Sequence, residues 1–599
     1  MQLITIGQMI ADATAKFADN NALGRRDGEN YRYLTYSDLG SRSAAIAIGL
    51  HELGLVTGDR IALLSESRPE WALLDLGAQL AGLVTVPIYP SLPGAQIKHI
   101  LNDSGSVAIV VSDFAQLQKI SDIREDLVYL KHVILMSETL KSAPEIGNLM
   151  LKRFNDLLSV QAPPLSDYPA YPGISQISPF DIATLIYTSG TTGEPKGVML
   201  SHQNLLATGY AACQIIDIGP TDTFLSFLPP CHIFERAGGY YLPLSVGASI
   251  VYSEGAFAIA DELTRIQPTI MLCVPRLFEA MHERIMEKAT KAPLIHRKLF
   301  QWAIKAAQPG NRESRITAPP YSAKRSPIQR VAEEWVLAGV RKKVAGGKLR
   351  YFVSGGAPLN PATARFWIAI GVPILEGYGL TEFPVVSVNR PGDIRIGTVG
   401  PPMPGVEVML AEDGEIYVRG DCEMRGYYNQ PEASADTIDA DGWFHTGDIG
   451  SIENGSIRIT DRKKDILVLA NGKNVAPQPI EAKLKQSPFI AEAVLFGDGE
   501  NQVVALLVPV FERLHGWAKE HRIEFHHDDD LVANPAVRRL YKQEISRQCR
   551  DLADFEKPKR FDLLDHPLSV DSGELTPTLK VRRKQIAEKY REKLQVLSH

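Results

Sequence analysis

The chain has little of what would place it outside the cell, across a membrane or on nucleic acid. Cysteine is scarce: five in 599 residues (Cys213, Cys231, Cys273, Cys422 and Cys549), odd in number and with no CxxC pair. That argues against a disulfide framework and a zinc site, and for a reducing compartment. No apolar run approaches the ~20 residues needed to span a bilayer. The opening stretch MQLITIGQMIADATAKF has no basic block ahead of an apolar one, so it does not read as a secretory signal. Neither charge dominates: 64 Lys and Arg against 70 Asp and Glu give a net −6, which exerts no pull towards nucleic acid. A 45% hydrophobic and 22% charged composition excludes disorder. These absences predict a cytoplasmic globular protein, with peripheral membrane contact left open.

What is there alternates. RIALLSE (60–66), VTVPIY (84–89), VAIVVSD (107–113) and HVILMS (132–137) read as buried strands, and 68–82 as a helix between two of them. Continuous apolar strands separated by helices predict parallel sheets covered on both faces. From about 282 to 350 the texture turns helical and basic around a loop, PGNRESRITAPPYSAKRSP. Either a solvated helical excursion or an amphipathic surface that touches phospholipid would have that composition. Strand signals return at YFVSGG and VPILEGYG, and GVEVMLAEDGEIYVRG reads as an antiparallel hairpin turning at Asp-Gly. A boundary is predicted near Asp461, before a region of about 130 residues with strands and helices of its own.

The stretch YTSGTTGEPKGVMLSH (187–202) holds three glycines, a run of hydroxyls and a lysine after an apolar strand, Ile182–Ile186. Such a loop turns backbone N–H groups onto an anion. It nonetheless lacks the Walker spacing G-x-x-x-x-G-K-[ST]. EGYGLTE (376–382) carries only half of a dinucleotide fingerprint, with Glu382 where a third glycine would stand. HERIM (282–286) lacks the second histidine of a zinc motif, and HHDDD (526–530) reads as a hydrated loop. Lys580, read alone beside Arg582, Arg583 and Lys584, belongs to a solvated charge run.

The order of motifs changes those readings. YTSGTTGEPKGVMLSH, FLPPCHIFER (227–236), SGGAPLN (354–360), EGYGLTE, GWFHTGDIG (442–450), DRKKD (461–465) and GELTPTLK (573–580) together resemble the adenylate-forming superfamily of acyl-CoA synthetases, peptide-synthetase adenylation domains and luciferases. The resemblance covers essentially the whole chain. It implies an α/β fold: a large N-terminal domain of helix-covered, mostly parallel sheets with a β subdomain (1–460), a hinge (461–465), and a small mobile α+β C-terminal domain (466–599).

It also implies roles. Thr188, Ser189, Gly190, Thr191, Thr192, Gly193 and Lys196 would cradle the β- and γ-phosphates of ATP. Gly355, Gly356 and Ala357 would border the adenine, as would Glu376, Gly377, Tyr378 and Gly379, with Tyr378 stacking on the base. Thr381 would contact the α-phosphate and Glu382 would bind Mg²⁺. Asp448 and Arg462 would hold the ribose hydroxyls. Lys580 would bridge the substrate carboxylate and the α-phosphate, a task suited to a point charge on a long stem. Lys464 would be the hinge about which the small domain swings, bringing Gly472 to the thiol face. His232 is either a structural hydrogen-bonder or, with Phe234, part of the acyl and thiol channel, where Gly238 and Gly239 would leave room for an acyl chain.

The block from Gly442 to Glu481 and the basic insertion most resemble long-chain fatty acid–CoA ligases. The region from His232 to Tyr240 offers no aspartate for a substrate amine. The implied reaction takes a fatty acid, ATP and coenzyme A to acyl-CoA, AMP and pyrophosphate. An acyl-carrier protein as acceptor, and a non-catalytic acyl or nucleotide sensor, are the alternatives.

Overall fold

Runs such as RIALL (Arg60–Leu64), VTVPI (Val84–Ile88) and AIVV (Ala108–Val111) have no polar face to give to water, so both faces must be covered. The computed structural model describes residues 4–137, 146–171, 177–188, 194–308, 315–316, 326–570, 572–576 and 580–598. In it these runs lie inside a seven-stranded sheet. Its order is Met150–Arg153, His132–Leu135, Ala108–Val111, Arg60–Leu64, Val84–Ile88, Ile182–Thr188, Lys196–Ser201, and only the last pair is antiparallel. Helix Pro69–Leu80 packs beside Tyr36–Glu52, and every residue of the former but Glu70 is buried. The latter starts directly off strand Asn30–Thr35 because Thr35 and Asp38 form a capping box.

A second sheet of eight strands runs Ser387–Val388, Ile374–Tyr378, Tyr351–Ser354, Ile270–Cys273, Thr223–Ser226, Ser249–Tyr252, Asn21–Asp27, Asn30–Thr35. Its two outermost pairs alone are antiparallel. A four-stranded antiparallel meander follows, Val406–Leu410, Glu415–Gly420, Phe444–Glu453 and Ser456–Arg462, with Gly414 turning the first hairpin at φ +83°. From Leu467 the chain gathers a core of its own, including Val475, Leu484, Leu507, Leu531 and Tyr541. That core lies around the sheet Ile490–Phe496, Val504–Pro509, Arg560–Leu563. The result is the expected α/β arrangement of a large N-terminal domain and a smaller C-terminal one.

The basic insertion is helical: Pro275–Lys291, Leu294–Ala307, Pro327–Ala332, a π-helical turn Glu333–Leu337, and Ala338–Ala345. The expected loop between the second and third of these is not all loop. Arg315–Ile316 pairs antiparallel with Ile394–Arg395, pinned by the Arg315 guanidinium, which donates to both carboxylate oxygens of Asp393 at 2.6 and 2.9 Å.

Candidate active site

The side of the site expected to face phosphate is built on the hairpin Ile182–Thr188 and Lys196–Ser201, whose register sets Thr188 opposite Lys196. Ser189, Gly190, Thr191, Thr192 and Gly193 lie outside the described residues. A neighbouring segment is stitched to this hairpin: Met199 N–H donates to the Gly426 carbonyl (3.0 Å) and Tyr428 N–H to the Gly197 carbonyl (2.7 Å). Tyr427 is thereby placed with its ring 4.9 Å from the Lys196 ammonium, and its hydroxyl donates to Glu382 Oε1 at 2.9 Å. Lys196, Tyr427 and Glu382 therefore form one row, and Thr381 precedes the carboxylate in chain. Tyr427 carried no expectation; the only signal for it was an aromatic pair, Tyr427–Tyr428, two residues ahead of a proline-started helix.

Asp448 and Arg462, the residues expected on the nucleoside side, are cross-strand partners in the meander, and Arg462 Nε lies 3.1 Å from Asp448 Oδ1. Tyr378 donates its hydroxyl to Asp448 Oδ2 at 2.6 Å. Asp448 thus holds both side chains at once, and its charge raises the pKa of Arg462. A Cβ at Gly379 would sit 2.2 Å from the Pro384 carbonyl oxygen, so no larger residue fits that turn. Glu376 has a different place from its motif neighbours. It is buried, its carboxyl accepts from Leu359 N–H at 3.1 Å, and burial pushes its pKa up to about 7. Its side chain holds the SGGAPLN turn, in which Gly356 (φ +83°) and Ala357 are exposed. A Cβ on Gly355 would come within 3.2 Å of the Phe234 ring, so this turn abuts the channel residues.

Lys580 comes from the far end of the chain. It stands at the end of an antiparallel pair: Thr576 N–H donates to the Lys580 carbonyl (2.8 Å), Arg582 N–H to the Glu574 carbonyl (2.8 Å), and Leu575 bridges Val581. Glu574 anchors the base. Burial alone would raise its pKa, but hydrogen bonds from Ser572, Tyr590 and Lys589 hold it down at about 2. Lys580 as a residue is exposed, and charged groups of the N-terminal domain act on its ammonium. Loss of water there, and then the charge of Arg462, lower its ammonium to about 8 against the opposing pull of Asp448 and Glu382. It also helps to keep His232 neutral: burial first, then the Lys580 charge, takes that imidazole down to about 4.

Around His232 the expectation of open space needs correction. Residues Glu235–Tyr241 form a π-helical turn, and a Cβ on Gly239 would lie 2.6 Å from the Glu235 carboxyl. The glycine gives its room to that side chain, not to an acyl chain. Glu235 is fully enclosed, accepts from Ser226 Oγ at 2.6 Å, and burial pushes its pKa up to about 8, so it is protonated at neutral pH. Gly238 faces Leu272, whose Cδ2 would lie 3.0 Å from an added Cβ. The neighbouring Arg236 is paired with Asp75 at full burial, a link absent from the sequence expectations.

The AMP-binding enzyme profile matches residues 10–428, and the profile of the AMP-binding enzyme C-terminal domain matches 464–547. The chain belongs to the AMP-binding enzyme family. This AMP-binding enzyme is 32% identical to "Long chain acyl-CoA synthetase 7, peroxisomal" of Arabidopsis thaliana, over 97% of the present chain and 84% of that relative. It is also 32% identical to "Long-chain-fatty-acid--CoA ligase FadD15" of Mycobacterium bovis, over 93% and 91%. Its fold is shared with an anthranilate CoA ligase solved with anthranoyl-AMP (TM-score 0.72, 21% identity, 98% and 97% covered). It is shared too with the adenylation domain of a Mycobacterium chelonae carboxylate reductase (TM-score 0.75, 23% identity, 99% and 91% covered).

Two expected residues of this AMP-binding enzyme lie on turns, one directly after the meander and one within the first ribbon of the C-terminal core. Lys464 is exposed in the turn after strand Ser456–Arg462, and Gly472 (φ +76°) turns the ribbon Leu467–Val468 and Asn474–Val475. Among the described residues no cluster of three or more His, Cys, Asp or Glu could hold a metal ion by itself. A single hard carboxylate, Glu382, linked through Tyr427 to Lys196, fits an ion such as Mg²⁺ that arrives with phosphate and keeps most of its water.

Proposed function

We propose that this AMP-binding enzyme is a long-chain fatty acid–CoA ligase: it activates the acid as an acyl-adenylate with ATP, then transfers the acyl group to coenzyme A. The observation that carries this reading is the pair of clusters Lys196–Tyr427–Glu382 and Tyr378–Asp448–Arg462, with Lys580 of the C-terminal domain near enough for the charges of Arg462, Asp448 and Glu382 to act on it. The names of relatives matched along nearly the whole chain supply the substrate class. In the first half-reaction a carboxylate oxygen attacks the α-phosphorus and pyrophosphate departs. Lys580 neutralises the approaching carboxylate and the α-phosphate, while Lys196, Thr188 and the loop between them hold the departing phosphates. Asp448 accepts from the ribose hydroxyls, with Arg462 orienting it and Tyr378 lying along the base. Glu382 would hold Mg²⁺, whose chemistry is to neutralise phosphate charge. In the second half-reaction the CoA sulfur attacks the acyl carbonyl carbon and AMP leaves. We place the hinge at Lys464, between domains 1–460 and 466–599, so that Lys580 withdraws and Gly472 turns towards the thiol.

The test is fatty-acid-dependent ATP–pyrophosphate exchange, followed by thioester formation with CoA or with holo acyl-carrier protein. No exchange with any long-chain acid would end the ligase reading, and transfer to carrier protein alone would replace CoA as acceptor.

The electrostatics of Lys580 add a pH prediction. The working form is the ammonium, so activity is present below its pKa and lost above it. With that pKa lowered to about 8, kcat/KM for adenylation is expected to be level up to neutral pH. Above pH 8 it should fall roughly tenfold per unit. In Lys580→Arg, whose guanidinium stays charged, the alkaline fall should move beyond pH 10, whatever activity remains. An unchanged alkaline limb in that variant would assign the titration to another group.

A further inference from the structure

The 69 residues from 282 to 350 carry sixteen Lys and Arg against five Asp and Glu, in a chain whose net charge is −6. The same stretch holds eight of the twenty-one large hydrophobic side chains that the described residues expose, and both of their exposed tryptophans. Helix Leu294–Ala307 has two apolar faces. Phe300 and Ala303 are buried against the body of the protein. About 100° round the helix from these, at i, i+4 and i+7, lie Ile295, Leu299 and Trp302, exposed by 78%, 37% and 40%. Lys298 and Lys305, both exposed, stand on the same helix within about 80° of that stripe at 100° per residue. The next helical segments, Pro327–Ala332 and Glu333–Leu337, pack on this helix. They repeat the pattern with Ile328, Val331 and Trp335 at i, i+3 and i+7, of which Trp335 is 75% exposed. Two of the acidic groups are already matched, Glu287 by Lys291 at 2.5 Å and Glu333 by Arg341 at 2.7 Å. Beside the stripe lies an open cleft of about 380 Å³, lined by Met286, Phe300, Gln301, Ile304, Lys305 and Gln308.

We propose that this face is a docking surface for an anionic phospholipid bilayer, entered by Trp302, Trp335 and the aliphatic side chains around them, with the basic residues on the headgroups. An outward apolar stripe bordered by lysines is the pattern of a helix lying in the plane of a membrane surface. Tryptophan suits the headgroup level because its ring is apolar and its N–H is polar. Charge decides between this occupant and a second copy of the chain: a two-fold contact here would press two strongly cationic surfaces together, whereas an anionic leaflet attracts each of them. No helix among the described residues is long and apolar enough to cross a membrane, so the contact is superficial. If the proposed reaction holds, the face would set the enzyme where its apolar substrate partitions, but the docking itself needs no turnover.

The test uses the full chain and vesicles of phosphatidylcholine, with or without a quarter phosphatidylglycerol, in a sedimentation assay at low and physiological salt. Binding is expected to the mixed vesicles and to weaken with salt. The double variant W302E/W335E should bind them at least tenfold more weakly, and K298E/K305E should bind weakly with a flattened salt dependence. Unchanged thermal midpoints, and unchanged turnover of a short water-soluble acid if the ligase reading stands, show that the variants fold. Binding equal to neutral and mixed vesicles would overturn the proposal. So would binding that both variants retain, no sedimentation of the parent chain, or a self-association that W302E/W335E abolishes. A failed ligase assay with normal vesicle binding would remove the proposed reaction and leave this surface standing.

Discussion

Lys580→Ala is expected to lower fatty-acid-dependent ATP–pyrophosphate exchange by roughly 10²–10³-fold, the usual cost of removing one preorganised charge from a phosphoryl centre. Thioester formation from a supplied acyl-adenylate and CoA should stay within about threefold of the parent, because that step makes no demand on this ammonium. The physical ground is the position of the side chain. Arg462, Asp448 and Glu382 all act on its charge, so it lies near the proposed adenylation site although its backbone belongs to the C-terminal antiparallel pair. A protein that lost both half-reactions equally would need a different account, either a damaged C-terminal domain or a lysine used throughout the cycle. Glu574→Gln separates these. It weakens the hydrogen bonds from Tyr590, Ser572 and Lys589 at the base of that pair without touching the ammonium. A merely mispositioned Lys580 should therefore show reduced exchange with its alkaline limb still near pH 8.

Much of the fold was legible because buried parallel strands leave a continuous apolar trace: Arg60–Leu64, Val84–Ile88 and Ala108–Val111 stand within two residues of where their runs predict them. The partner of Asn21–Asp27 was not legible. It joins the second sheet beside Ser249–Tyr252, more than two hundred residues away, and no local pattern encodes such a pairing. For the site, Thr188 and Lys196 could be read from loop composition, while Lys580 could be read only from the order of motifs, since Arg582, Arg583 and Lys584 disguise it as a charge run. Gly239 was misread for a physical reason. A glycine says that space is needed, but not by whom, and here the residue four positions earlier on the same turn takes it. Glu376 was placed with the nucleotide because its motif faces the ligand, whereas a strand residue flanked by such a motif can turn its side chain the other way and hold a loop.

Asp75→Ala is expected to be the most destabilising single change available near the site, at about 3–5 kcal/mol, through the charge it strands. Arg236 and Asp75 are both wholly buried, and Arg236 Nη2 donates to Asp75 Oδ1 at 2.5 Å, to Thr85 Oγ1 at 2.6 Å and to Tyr241 Oη at 3.1 Å. Tyr241 in turn donates to Asp75 Oδ2 at 2.7 Å. Arg236 Nε and Nη1 have no hydrogen-bond partner among the described residues, so the guanidinium leans on this carboxylate and on the faces of Trp71 and Tyr241, 5.4 and 5.6 Å away. Burial is the largest single effect and works against the charged form, but Asp75, Tyr241 and Tyr240 together outweigh it and the pKa of Arg236 is raised. Removing Asp75 takes away the main support of the cation, and because a guanidinium does not deprotonate in proteins the stranded charge is not relieved that way. The cost should fall steeply in the double variant D75L/R236M, which removes both charges and keeps the volume, and thermal or urea unfolding of the two variants measures the difference. Because Arg236 lies on the π-helical turn that begins at Glu235, three residues from His232, Asp75→Ala should also raise KM for the acid before the protein unfolds. Equal losses in the single and double variants would show that packing volume, and not the ion pair, holds this turn in place.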